Sequence, residues 1–180
     1  MEQIEFVKSD LITSRIGLGT WAMGGWMWGG TDEAQSIATI RSAIDRGVTL
    51  IDTAPVYGFG RSEEIIGKAL EGSLRHKVTI ATKVGLAWKD DAVYRDSRPA
   101  RIRKEIEDSL RRLRTDVIDL YQVHWPDFRD ADCGDRADVG RPAPRGQDSS
   151  DWRQLGMMIA TDTETFRLGG GLSSYEAARA

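Results

Sequence analysis

The chain has 180 residues, a formal net charge of −3 and one cysteine, Cys133. Acids and bases are interspersed, which argues against a nucleic-acid footprint and against a polybasic membrane surface, and a single cysteine excludes an internal disulfide framework or a Cys-based zinc cage. No run of about 18 apolar residues is present, so no membrane-spanning helix is expected. The opening MEQIEFVKSDLI has no basic stretch followed by an apolar one, so no secretory signal is visible and a cytoplasmic location is expected.

The composition breaks near residue 128. Val, Ile, Leu and Phe number 33 in residues 1–128 but 6 in the 52 residues 129–180, below the roughly 20% that a packed core needs. Two regions are therefore expected. The first, 1–128, carries the folded structure. The second, 129–180, is rich in Arg, Asp, Gly and Pro, has no period of 2 or 3.6, and is expected to be poorly ordered.

Within 1–128, RIGLG at 15–19 reads as a short strand. Thr31 or Asp32 can cap a helix whose buried stripe is Ile37, Ile40 and Ile44, with Gly47 as its stop. VTLID at 48–52 is the next strand. A short helix starts at Ser62, runs through Ile65, Ile66 and Leu70, and ends at Gly72. VTIATK at 78–83 is a third strand. After Pro99, the residues Ile102, Ile106, Leu110 and Leu113 form another helical stripe, and VIDLYQVH at 117–124 is a fourth strand. Strands recurring every 30 to 40 residues or so with a helix between predict βαβ units and a parallel sheet, open or closed into a barrel. The Gly-rich turn GLGTWAMGGW does not open directly into a helix as a GxGxxG fingerprint would.

In parallel α/β folds ligands bind at the carboxyl ends of the strands. Those ends carry Asp52, with Thr53 and Tyr57 in the loop behind it, then Lys83, then His124. Each has a plain structural reading: an Asp can cap a loop, a Tyr can pack, a Lys can be solvated, and a His can serve as a structural hydrogen-bonder. His76, in the charged turn Arg75-His76-Lys77, reads as surface. Together the four suit proton transfer to a carbonyl oxygen. A phenol is a poor acid at neutral pH, and a neighbouring cation favours its ionised form. Lys83 supplies that cation, Asp52 holds it in place and charged, and His124 orients the carbonyl. No Ser–His pair and no metal cluster accompanies them. The reaction class indicated is carbonyl reduction with hydride from elsewhere.

These residues sit in motifs that resemble the aldo-keto reductases: GLGTWAMGGW, GVTLIDTAPVYG at 47–58, SEEIIGKAL at 62–70, ATKVG at 81–85 and DLYQVHWPD at 119–127. The resemblance spans residues 1–127. It implies a (β/α)8 barrel, of which 1–128 would be the N-terminal half with strands 1 to 4. It also implies NADPH as hydride donor, with NADH the alternative, and an aldehyde or ketone as substrate. The family's catalytic tetrad falls on Asp52, Tyr57, Lys83 and His124. Gly19, Thr20 and Trp21, with Asp52, would meet the cofactor, and Trp21 and Trp125 would line the substrate pocket. No metal, nucleic-acid or membrane partner is implied. Arg114 stands where the family often has a helix-ending Gly. A cofactor-binding regulatory subunit on the same fold is the competing function.

Beyond residue 128 none of the family's later motifs is visible. Read one base out of frame, Gly146–Gln154 can encode Gly-Lys-Ile-Arg-Arg-Ile-Gly-Val-Ser, which resembles the family's fifth strand, and a stop at Met157-Met158 limits that frame. The tail is therefore expected to be a frameshifted or truncated end. A half-barrel would leave two open sheet edges, so weak or absent activity and self-association through those edges are expected of it.

Overall fold

In the computed structural model, residues 1–6 and 9–125 are described. An antiparallel hairpin of β1 (Gln3–Glu5) and β2 (Ile12–Ser14) comes first. β3 (Gly17–Gly19) leads into a 3-10 turn at Trp21–Gly24 and then α1 (Glu33–Asp45). β4 (Leu50–Asp52) is followed by α2 (Arg61–Ala69) and a 3-10 segment, Gly72–Lys77. β5 (Thr79–Val84) runs into a second antiparallel hairpin, β6 (Leu86–Lys89) with β7 (Ala92–Arg95). Last come α3 (Pro99–Leu113) and β8 (Leu120–Val123).

β3, β4, β5 and β8 form one parallel sheet in that order. Helix after strand, with neighbours added in sequence order, is the repeating unit of the N-terminal part of a (β/α)8 barrel. The helix side of the sheet is dry. Ile51, Ile80 and Tyr121 from the strands meet Ile40 of α1, Ile65 and Ile66 of α2, and Leu110 and Leu113 of α3 in one buried cluster. Side chains alternate along a strand, so the register partners Gly19 and Asp52, and then Lys83 with its partner Gln122, lie on the opposite face. No described helix is long and apolar enough to cross a membrane.

The strands are shorter than their apolar runs, because side chains take over the ladder at the amino ends. Ser14 Oγ accepts from the Thr49 N–H at 2.8 Å, and Asp119 Oδ2 accepts from the Ile80 N–H at 2.8 Å. Asp32 caps α1 by accepting from Gln35 N, and Gly47 turns the chain at φ +88. α2 begins one residue before Ser62, after a left-handed Gly60, and ends at Ala69; Gly72 opens the 3-10 segment instead of closing the helix. Arg114 holds the left-handed conformation, φ +54, that its place after α3 demands. The two hairpins were not expected from the sequence. The readings made for the tail, 129–180, lie outside the described residues.

Two carboxylates are buried between sheet and helices. Glu63 of α2 is fully buried; it accepts from Arg112 Nε of α3 at 2.6 Å and from Thr82 Oγ1 of β5 at 2.7 Å. Glu105 of α3 lies near the backbone N–H of Gly85 (3.3 Å) and Arg101 (3.4 Å). Burial, opposed by Arg101, pushes its carboxyl up to about 7.

Candidate active site

The carboxyl ends of β4, β5 and β8 place four side chains in one cluster. Asp52 is the last residue of β4, Lys83 the penultimate residue of β5, and His124 follows β8, with its backbone N–H on Val84 O at 2.9 Å. Tyr57 comes from the turn after β4. That turn is seated by backbone-to-backbone contact with the turn after β3. A Cβ built on Gly58 would stand 2.0 Å from the Gly24 carbonyl oxygen, and one on Gly24 would stand 2.5 Å from the Tyr57 carbonyl. Only glycine fits at either place, and the contact brings Trp21 against Tyr57, ring centroids 6.1 Å apart and nearly parallel.

Lys83 is the hub. Its Nζ donates to Asp52 Oδ1 at 2.7 Å, to the Thr53 carbonyl at 2.9 Å and to Tyr57 Oη at 3.4 Å. An ammonium has three protons, and these three acceptors take all of them. The Lys83 side chain is 13% exposed and that of Asp52 39%, so the cation is sheltered while its counter-ion reaches the open side. Since Lys83 donates to Tyr57 Oη, the phenol's own O–H is left to point elsewhere. His124 lies edge-on to Tyr57 at 5.8 Å between ring centroids. Burial, and then the Lys83 charge, push its imidazole down to about 4, so it is neutral at pH 7 and offers one N–H and one lone pair. Trp125 stands next to His124, and Trp28 packs edge-on to Trp21.

The four polar residues expected from the sequence are thus brought together, with Trp21 and Trp125 exposed beside them. Gly19 faces open space next to Asp52, with nothing within 4 Å of where a Cβ would be. Thr20 lies a layer below, fully buried. Three features escaped the sequence reading: the edge-on Trp28, the Glu63–Arg112 pair, and the hydroxyls of Thr53 and Ser62 behind the cluster. Hydroxyls beside a strand end and in a helix's first turn are the only trace those last two leave in the sequence. His76 is exposed, as expected. Among the described residues no group of His, Cys, Asp and Glu is arranged to hold a metal.

The model of the Aldo/keto reductase family matches residues 15–155. The chain is 60% identical over 128 residues to Aldo-keto reductase YhdN of Bacillus subtilis, covering 71% of this chain and 39% of that protein. It is 42% identical over 137 residues to the NADH-specific methylglyoxal reductase of Escherichia coli, covering 69% of this chain and 42% of that one. Among solved structures, the glycerol dehydrogenase AKR11B4 from Gluconobacter oxydans superimposes with a TM-score of 0.64 at 57% identity, over 71% of this chain and 40% of that one. The chain spans about two fifths of the length of the curated relatives it matches.

Proposed function

As this chain belongs to the aldo/keto reductase family, a family of oxidoreductases, we propose that it serves the reduction of a small aldehyde or ketone to the alcohol, with Tyr57 as proton donor. The observation that carries this reading is the Lys83 ammonium, shared among Asp52, Thr53 and Tyr57. As the Tyr57 proton moves to a substrate oxygen, the charge left on Oη is met by an ammonium already in place, with no group needing to reorient. Asp52 pairs with Lys83 at 2.7 Å and holds it in a sheltered position. Neutral His124 donates a hydrogen bond to the same substrate oxygen and sets its direction without competing as an acid. Trp21 and Trp125 supply apolar walls.

A nicotinamide dinucleotide, when bound, supplies the hydride. The residues here fit such a group: the bare face at Gly19 beside Asp52 leaves room for a flat ring, and Trp21 stands next to it. NADPH is the proposed donor. NADH is the alternative, supported by the name of the Escherichia coli relative. The test is Tyr57→Phe in a full-length, frame-corrected protein that carries residues 1–128 of this sequence. NADPH-dependent consumption of an aldehyde should fall by about 10²-fold or more, with nucleotide binding, followed by quenching of tryptophan fluorescence, retained. Unchanged turnover would overturn the assignment of Tyr57.

A further inference from the structure

We propose that Ser62, in the first turn of α2, is a positioning residue for the Asp52–Lys83 pair, acting through a directed chain of three buried hydroxyls. The proposal rests on the reading of that pair as part of a reductase site.

Thr20, Thr53 and Ser62 are each fully buried, and they come from three separate places: the turn after β3, the end of β4, and α2. Ser62 Oγ lies 3.0 Å from Thr53 Oγ1, 2.8 Å from Thr20 Oγ1 and 3.1 Å from the Thr20 carbonyl. Thr20 Oγ1 donates to the Asp52 carbonyl at 2.9 Å. A hydroxyl has one proton to give, so the directions follow. The Asp52 carbonyl only accepts, which commits the Thr20 proton to it. Ser62 therefore donates to Thr20, its proton shared between Thr20 Oγ1 at 2.8 Å and the Thr20 carbonyl at 3.1 Å. Thr53 is left to donate to Ser62. The chain runs Thr53 to Ser62 to Thr20 to the backbone of Asp52, with every proton assigned.

Its two ends are the two residues that hold the ammonium. Asp52 supplies the carboxylate at 2.7 Å from Lys83 Nζ, and Thr53 supplies the carbonyl at 2.9 Å. The Asp52 carbonyl takes the Thr20 N–H at 3.0 Å as well, so both donors of Thr20 converge on it. The peptide joining Asp52 to Thr53 is thus gripped from the helix side by the same hydroxyls that are turned away from the open face. Ser62 is the only member outside the two turns. It ties the register of α2 to the place of the ammonium. Without it, the Thr20 hydroxyl loses a donor and the Thr53 hydroxyl loses an acceptor, both in a dry environment where neither finds a substitute.

The readout is the ammonium of Lys83, followed by proton exchange of its 15N-labelled side chain in the full chain. In the unsubstituted protein its signal should be protected from exchange. Ser62→Ala and the isosteric Thr53→Val should each speed that exchange by about tenfold, the loss of one buried hydrogen bond. Thr53→Ser, which keeps the hydroxyl, should restore it. Lys68 is the internal control, since it pairs with Glu33 at 2.7 Å at the other end of α2 from Ser62 and should not change. Lys83 exchange unaltered in both Ser62→Ala and Thr53→Val would overturn the proposal, as would equal acceleration at Lys68, which would mark general loosening. Should Ser62→Ala fail to fold, the Thr53 pair decides alone. Because no turnover is measured, failure here is distinct from failure of the reductase reading, which Tyr57→Phe tests.

Discussion

Burial pushes His124 and Glu105 in opposite chemical senses, and the pH dependence of stability should carry both. Glu105 is raised from 4.5 to about 7. Between those values the unfolded chain has released its proton and the folded chain has not, so this group's stabilisation, complete below pH 4.5, is lost as pH rises to 7. The full window corresponds to about 3 kcal/mol. His124 is lowered from 6.5 to about 4. Its contribution is complete above pH 6.5 and is lost as pH falls towards 4, when the unfolded chain takes up a proton first. Screening at its half-buried ring reduces this to about 2 kcal/mol. The two slopes oppose each other over most of their range and largely cancel. Glu105→Gln should uncover a loss of stability on acidification. His124→Asn should uncover the reverse, a loss on raising the pH. Urea midpoints across the pH range between 4.5 and 6.5 test this, and parallel profiles for the three proteins would refute it. Lys83 and Asp52 could be picked out from sequence because strand ends are few and their chemistry is unusual. Thr53 and Ser62 could not, because a hydroxyl's part depends on where its single proton points, and that is settled by three segments meeting.

At the scale of elements, the turns after β3 and β4 depend on glycines whose roles differ in kind. Gly58 and Gly72 both have positive φ, +64 and +81. Around Gly72 a Cβ would meet nothing, whereas at Gly58 it would collide with the Gly24 backbone. Gly72→Ala should therefore cost about 1 kcal/mol, the left-handed penalty alone. Gly58→Ala should cost about 3 kcal/mol or more, since backbone cannot give way as a flexible side chain can. Equal shifts in denaturant midpoint for the two variants would refute the close approach. The three helices were legible because each carries an apolar stripe marked at one end: Ile37, Ile40 and Ile44 stop before Gly47, Ile65 and Ile66 follow a start at Ser62, and Leu110 and Leu113 follow a start at Pro99. The hairpins were not. β6 and β7 alternate weakly, and their turn rests on Asp90 at φ +53, a signal shared with many charged loops. The strands begin later than their apolar runs at Val48 and Val117, where the Ser14 and Asp119 side chains meet the Thr49 and Ile80 N–H groups across sequence separations that no local pattern reveals.

For the whole molecule, the parallel sheet has a helix-covered face and a face bearing the polar cluster. Among the described residues β3 and β8 each have one strand neighbour. The order of strands followed from the alternation of strand and helix, since sequential βαβ units place each new strand beside the last. The extent of the sheet did not follow, because closure depends on residues beyond the alternating pattern. An edge strand with an apolar outer residue invites pairing with another chain. Val123 of β8 is 37% exposed. The chain should show concentration-dependent mass in sedimentation, and Val123→Lys should lower it by placing a charge on that edge. Identical mass at all concentrations would argue that the edge is covered.

The triple hold on Lys83 has a consequence beyond proton transfer. An aldehyde and a lysine side chain in one cleft would condense to a Schiff base if the amine offered a free electron pair. With its three donor positions engaged by Asp52, Thr53 and Tyr57 and its side chain only 13% exposed, the nitrogen is less open to an incoming carbonyl than a surface amine. The site is thereby shielded from alkylation by the class of compound proposed as its substrate. Incubation with an aldehyde and cyanoborohydride, followed by peptide mass mapping, should mark the exposed Lys89 well before Lys83. Labelling of Lys83 at the pace of Lys89 would show the shield to be absent.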